Sequence, residues 1–171
     1  MNVKLRRPEA GDAFARAKLG YHPTILMGYG IFLDSPQPMP LDEAARWVKN
    51  IEDNPNAWVI TDEGNLVGTL QLHQVNRDDG RANLAIGLVD PNRLNQGIGR
   101  EAIRQFFAIA FGDLGLHRIS VRVLASNERA LNCYKACGFR TEGKERESAR
   151  VRDHWEDDIL LGILSTDVIQ I

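Results

Sequence analysis

Cysteine is nearly absent. Cys133 and Cys137 are the only two in 171 residues, too few for a disulfide framework. They stand four apart on one predicted helix face, but no further ligands accompany them at metal-site spacing, so they read as core residues and no metal is expected. Long apolar runs are also missing, and none approaches the length of a membrane span. The opening MNVKLRRPEAGD lacks the apolar stretch of a secretory leader and reads as a first strand. Charge of one sign is scarce: 21 Lys and Arg stand against 23 Asp and Glu, for a net charge of −2. Nucleic-acid binding by bulk charge is thereby excluded. With no internal repeat, low-complexity tract or charged tail, the expectation is one cytoplasmic domain over residues 1–171. It has a substantial core and neither a membrane nor a nucleic-acid partner.

What the chain does have is alternating periodicity. VKLRR (3–7) alternates as a strand does, and Pro8 leads into a helix over EAGDAFARAKLG that Gly20 closes. PLDEAARWVKNIED (40–53) is a second helix with acidic residues in its first turn. Trp47 there belongs with Ala44, Val48 and Ile51 on a core face. NAWVIT (56–61), NLVGTLQLHQV (65–75) and RANLAIGLVD (81–90) form an antiparallel meander with short turns. GIGREAIRQFFAIAFGDLG (97–115) is a helix with one broad apolar face. HRISVRVLAS (117–126) is a strand, and NERALNCYKACGF (127–139) is a short helix with Asn127 as N-cap and Gly138 as its stop. The remainder pairs as two last strands. This order predicts a mixed α/β or α+β sheet with helices packed on it. Residues 21–40 are punctuated by Gly and Pro yet rich in Tyr, Ile, Leu, Met and Phe. They are either a packed loop or a wall of a binding site.

Two short clusters carry chemistry. In RLNQGIGREAI (93–103), Gly97 opens a helix whose first amides have no intrahelical acceptor. Glycine at 97 and 99 bares that backbone, which suits a phosphate or pyrophosphate. A plain strand-to-helix turn would look the same. A dinucleotide fingerprint fits poorly, because Ala102 stands where its third glycine belongs and the preceding strands are antiparallel. A nucleoside-triphosphate loop needs G-K-[ST], and Arg100-Glu101 follow Gly99 instead. In ASNERALNCYKACGF, Asn127 and Tyr134 are two helical turns apart and share a face. Taken singly, they are a cap and a core aromatic.

Together, the spacing of QGIG and the later ASN…AL..Y…GF resembles the GNAT superfamily of acetyl-CoA-dependent N-acetyltransferases, over roughly residues 3–165. The resemblance implies the GNAT fold, a mixed, mostly antiparallel sheet splayed between the strands at 82–90 and 117–124. Acetyl-CoA is implied as co-substrate, its pantetheine arm in the gap. It implies that the backbone of Gln96, Gly97, Ile98, Gly99 and Arg100 binds the CoA pyrophosphate, and that Asn127 bonds the pantetheine arm. By the same resemblance, the strand around Leu84–Leu88, with Ile86, Gly87 and Leu88, is implied to pair with pantetheine and to polarise the acetyl carbonyl. Tyr134 is implied as the acid for the leaving thiolate. Two positions depart from the family pattern: Leu94, where Arg or Gln is common, and Asn83, where a glutamate base often stands.

Acetyl transfer needs a neutral amine, and an ammonium of pKa near 10 is only about one part in a thousand neutral at pH 7. With asparagine at 83, His73 is the candidate base, on the strand beside 81–90 and with a suitable reference pKa. Asp79, Glu128, Asp157 or a water relay are the alternatives. The expected function is acetylation of a primary amine, either a small amine or polyamine or a protein or peptide amino terminus. A non-catalytic acyl-CoA-binding sensor is the alternative. The resemblance also allows a homodimer, though nothing in the sequence locates an interface.

Overall fold

The computed structural model describes residues 1–168. Its strands are β1 (Val3–Arg6), β2 (Ala57–Asp62), β3 (Asn65–Asn76), β4 (Arg81–Leu88), β5 (Arg118–Leu124), β6 (Arg140–Val151) and β7 (His154–Leu164). They make one sheet in the order β1-β2-β3-β4-β5-β7-β6. β4 and β5 run parallel, and the other neighbours are antiparallel. The α-helices are α1 (Asp12–Leu19), α2 (Pro23–Leu26), α3 (Leu41–Asp53), α4 (Ile98–Phe107), α5 (Glu128–Ala136) and α6 (Ser165–Val168). The mixed sheet with flanking helices is as the periodicity predicts.

Alternation along the strands feeds two faces. Ile60 of β2 joins the larger core with Ile98, Ile103 and Phe106 of α4, while Ala57 and Val59 join Ile51 and Trp47 of α3. Each fully buried Ile or Phe contributes about 1.5–3 kcal/mol, so the apolar stripe of α4 is what seats it on the sheet. Trp58 meets Phe106 edge-on at 5.3 Å. The helix expected over 97–115 departs from its pattern at the end. From Ala108 to Asp113 it widens into π-helix, with the Leu114 amide bonded to the Ile109 carbonyl at 2.8 Å. Gly112 and Gly115, poor helix residues, stand where the α-form gives out.

The 21–40 segment is ordered but largely exposed: Ile25 and Met39 are buried, whereas Met27, Tyr29, Ile31 and Phe32 stay open to solvent. It holds α2 and a 3₁₀ turn at Met27–Tyr29, and its ends are tied by a bridge between Tyr21 and Gln37. Gly20 is required there: its φ is +62°, and a β-carbon would lie 2.5 Å from the Gln37 carbonyl oxygen. The buried Arg16 guanidinium packs 5.5 Å from the rings of both Tyr21 and Trp47 and donates to the Gly20 carbonyl at 2.6 Å.

At the start of α1, Arg6 grips Asp12 with two bonds of 2.7 and 2.8 Å, and the Glu9 amide donates a third at 2.7 Å. Burial pushes the Asp12 carboxyl up, but the Arg6 and Glu9 bonds outweigh it and hold its pKa below the ordinary value. The resulting stabilisation is present above the unfolded carboxylate pKa and lost as pH falls through the depressed native value. Asp12→Asn should therefore cost about 1–2 kcal/mol at pH 7, allowing for the partly exposed guanidinium. Urea titrations at decreasing pH should show the gap to wild type closing below about pH 3.9.

Candidate active site

The parallel pairing of β4 with β5 covers only Arg81–Asn83 against Arg118–Ser120. Beyond it the strands part. The parted edges open into a cavity of about 670 Å³ whose walls include Ile86, Gly87 and Leu88 of β4 and Val123 and Leu124 of β5.

One end of the cavity is the N-terminus of α4. Gly97 takes φ +82° and no side chain caps the helix. The Glu101 amide is the first to find an intrahelical acceptor, the Gly97 carbonyl at 3.0 Å, so the amides of Ile98, Gly99 and Arg100 are left for a ligand. Gly97, Ile98, Gly99 and Arg100 all line the cavity. The Arg100 guanidinium lies beside Gly97, 3.8 Å from where its β-carbon would be. Gly99 also faces α5, with Cys133 Sγ at an ordinary contact distance of 3.5 Å from its would-be β-carbon. Gln96 is not in the lining; its side chain donates to the Asn92 carbonyl at 2.6 Å. Three unmet amides, a bare left-handed glycine and an adjacent cation fit a pyrophosphate.

The opposite wall is α5. Asn127 caps it, accepting from the Ala130 amide at 3.1 Å, while its Nδ2 donates to the Gly28 carbonyl at 2.9 Å. It lines the cavity, yet the bonds it makes go to the protein: it ties α5 to the 21–40 segment. Tyr134 is buried and lines the cavity, with Phe139 edge-on at 5.3 Å. Burial, reinforced by the neighbouring Cys133 sulfur and the Tyr29 phenol, pushes its pKa well above the ordinary value. Its hydroxyl therefore keeps its proton at neutral pH. Cys137, a free thiol donating to the Arg100 carbonyl at 3.8 Å, is buried in the core as its sequence context predicts.

His73 is not brought to the cavity. It is exposed, sits beside a bulge in β3, and pairs with Asn83. Asn83 in turn donates to Gln74 Oε1 at 2.7 Å. Both lie four residues along the strands from the Thr69–Gly87 pair, roughly 13 Å. Conversely, the cavity gathers residues that the sequence did not single out. Tyr29 enters from the 21–40 segment, Arg129 from α5, and Arg122 and Arg150 from β5 and β6. Asp158 of β7 is the one carboxylate among the described residues of the lining, buried and bonded to Ser148 at 2.9 Å and Arg122 at 3.4 Å. Apolar richness in 21–40 was a signal for Tyr29. Asp158 had none, because it falls in the register that alternation assigns to the strand's outer face.

The fold and site together define a cleft for a long ligand with an anionic head, open between two parted strands. Residues 2–140 match the family described as the acetyltransferase (GNAT) domain, and the chain belongs to that family. It is 32% identical over 102 residues to the probable N-acetyltransferase YjcK of Bacillus subtilis, covering 60% of this chain and 56% of that protein. It is 28% identical over 111 residues to the spermidine N(1)-acetyltransferase of Vibrio cholerae, covering 64% of each. The matched segment thus spans less than two thirds of either curated relative. The crystal structure of Vibrio cholerae spermidine N-acetyltransferase in complex with CoA and spermine superposes with a TM-score of 0.79 at 26% identity, covering 98% of both chains.

Gly97→Val tests the amide cradle. A β-branched residue at φ +82° should cost about 1–2 kcal/mol of stability. Titration calorimetry of the folded variant should show desulfo-CoA bound at least about tenfold more weakly, the loss of roughly one charge-assisted hydrogen bond. Unchanged affinity would remove the cradle.

Proposed function

We propose that the chain transfers the acetyl group of acetyl-CoA directly to a primary amine. One observation carries this reading: a single cavity joins the unmet amides of α4 to the gap between β4 and β5, with Tyr134 in its wall. Acetyl-CoA, when bound, supplies a thioester carbonyl open to attack. The protein's part is to hold and polarise. The amides of Ile98, Gly99 and Arg100, with the backbone of Gln96 and Gly97 shaping the turn, hold the pyrophosphate. Backbone N–H groups of Ile86–Leu88 offer donors to the carbonyl oxygen as charge develops. Tyr134 donates a hydrogen bond towards the departing sulfur. Its pKa is raised, whereas a thiol's is about 8.5, so full proton transfer from the phenol is uphill and the bond itself is the contribution.

The acceptor's proton has no adjacent base among the residues expected for it. His73 stands outside the lining, so the acceptor's proton passes to bulk solvent, from which the departing thiolate is in turn protonated; Asp158 is the carboxylate of the lining, already paired with Arg122. The lining also bears on the acceptor's identity. Arg93 and Arg122 are paired with Asp62 and with Glu145 and Asp158, which leaves Arg100, Arg129 and Arg150 of the lining, while Ile25, Tyr29, Leu124 and Val151 supply apolar surface. Relatives named for spermidine support a small amine acceptor. The arginines and apolar surface favour, over a polycation, an amine on a partly apolar body, including a peptide amino terminus.

Release of CoA thiol from acetyl-CoA with separate pools of polyamines, amino acids, aminoglycosides and short peptides tests this reading. Transfer to at least one pool is expected; CoA binding without thiol release from any pool would favour a sensor. With an active pool, Tyr134→Phe should lower kcat by about 100-fold and leave the KM for acetyl-CoA within about twofold. A variant with full activity across the pH range would return Tyr134 to a packing role.

A further inference from the structure

The gap between β4 and β5 is closed on one side by a side chain. The Tyr29 hydroxyl lies against the bare Cα of Gly87, so that a β-carbon at 87 would overlap that oxygen and lie 3.3 Å from Cζ. Gly87 sits within β4 and does not have a positive φ. Strand geometry therefore does not ask for glycine at 87; the tyrosine does.

Tyr29 is held from both flanks. The Gly28 carbonyl accepts from Asn127 Nδ2 at 2.9 Å. Gly30, at φ +73°, packs so closely that a β-carbon there would lie 3.1 Å from Val151 and 3.4 Å from Leu124. The backbone that carries Tyr29 is thus fixed to the cap of α5 and to the ends of β5 and β6. The ring is half-exposed, but burial at its tip pushes the phenol's pKa up. The hydroxyl points inward, into the cavity that Tyr134 also lines.

We propose that Tyr29 is a specificity-determining residue that limits the acyl group to acetyl. The inference rests on the acetyl-CoA reading above. With the thioester carbonyl at the Ile86–Gly87 edge, the carbons beyond it project past Gly87 towards the Tyr29 oxygen. There is no room for a single β-carbon between residue 87 and that oxygen, so a longer acyl chain collides with a phenol whose backbone cannot retreat. Overpacking of this kind is destabilising, and one misplaced methylene in a fitted pocket costs roughly tenfold or more in kcat/KM.

The test compares acetyl-, propionyl- and butyryl-CoA in wild type, Tyr29→Phe, Tyr29→Leu and Tyr29→Ala, by binding calorimetry and by thiol release with one acceptor. Wild type should bind butyryl-CoA at least about tenfold more weakly than acetyl-CoA. Tyr29→Phe, which lacks only the oxygen, should admit propionyl while still rejecting butyryl, and Tyr29→Leu and Tyr29→Ala should bring butyryl within about threefold of acetyl. A ligand-free check accompanies this: Gly87→Ala should lower the melting temperature in wild type and much less in the Tyr29→Ala background. The same acetyl-to-butyryl ratio in all four proteins, or equal effects of Gly87→Ala in both backgrounds, would overturn the role of Tyr29 alone. A wild type that binds no acyl-CoA would overturn the acetyl-CoA reading and this inference with it.

Discussion

The short parallel ladder between β4 and β5 is the constraint on which the site depends. Three residue pairs are joined, and then the strands separate. Backbone N–H and C=O groups on the parted edges still require partners, and inside a walled cavity those partners must come from a ligand or from water. α4 leaves from the end of β4 and crosses over to β5, so its N-terminus comes to rest beside the opening. A parallel crossover always places a helix start near the carboxyl end of the strand it follows, where open sheets bind their ligands. One local loss of pairing thus produces both a slot lined by backbone and a positive pole at its end.

Electrostatics follow the same division. The α4 macrodipole and Arg100 give one end of the cavity a field suited to phosphate. Arg93 contributes less than its position suggests, since its guanidinium is held by the buried Asp62 at 3.0 Å. Towards β5 and β7 the lining turns apolar, and Asp158 stands among arginines. Tyr134 and Tyr29 both line the cavity between these two ends.

The second wall comes from the other half of the chain. The 21–40 segment is anchored at its root by Arg16 and Gly20 and at its tip by Asn127. Asn127 thus has a structural role beside its place in the lining: its oxygen and nitrogen each make one bond to protein, and one N–H and one lone pair remain. Through these bonds, helix α5 and the 21–40 segment share one fixed geometry around the gap.

Sheet strands, the apolar face of α4 and the Asn127 cap were all legible in the sequence, because periodicity and capping are local. So was the amide cradle at Gly97–Arg100, since a left-handed glycine before an apolar helix is written in consecutive residues, and its resemblance to GNAT motifs supplied the ligand. The π-helical end of α4 was not legible, as its widening depends on how the helix meets the sheet. Nor was the exclusion of His73, which shares the β3–β4 hairpin with Gly87 but stands four residues along it; alternation gives the face of a strand and not the distance along it to a gap. Tyr29 meeting Gly87, and Asp158 entering the lining, are contacts between segments 58 residues or more apart. The sequence by itself determined the elements and the bare, uncapped start of α4 at Gly97. Only the tertiary structure decided where β4 and β5 part and which side chains close the opening, because those depend on packing between elements that no local pattern records.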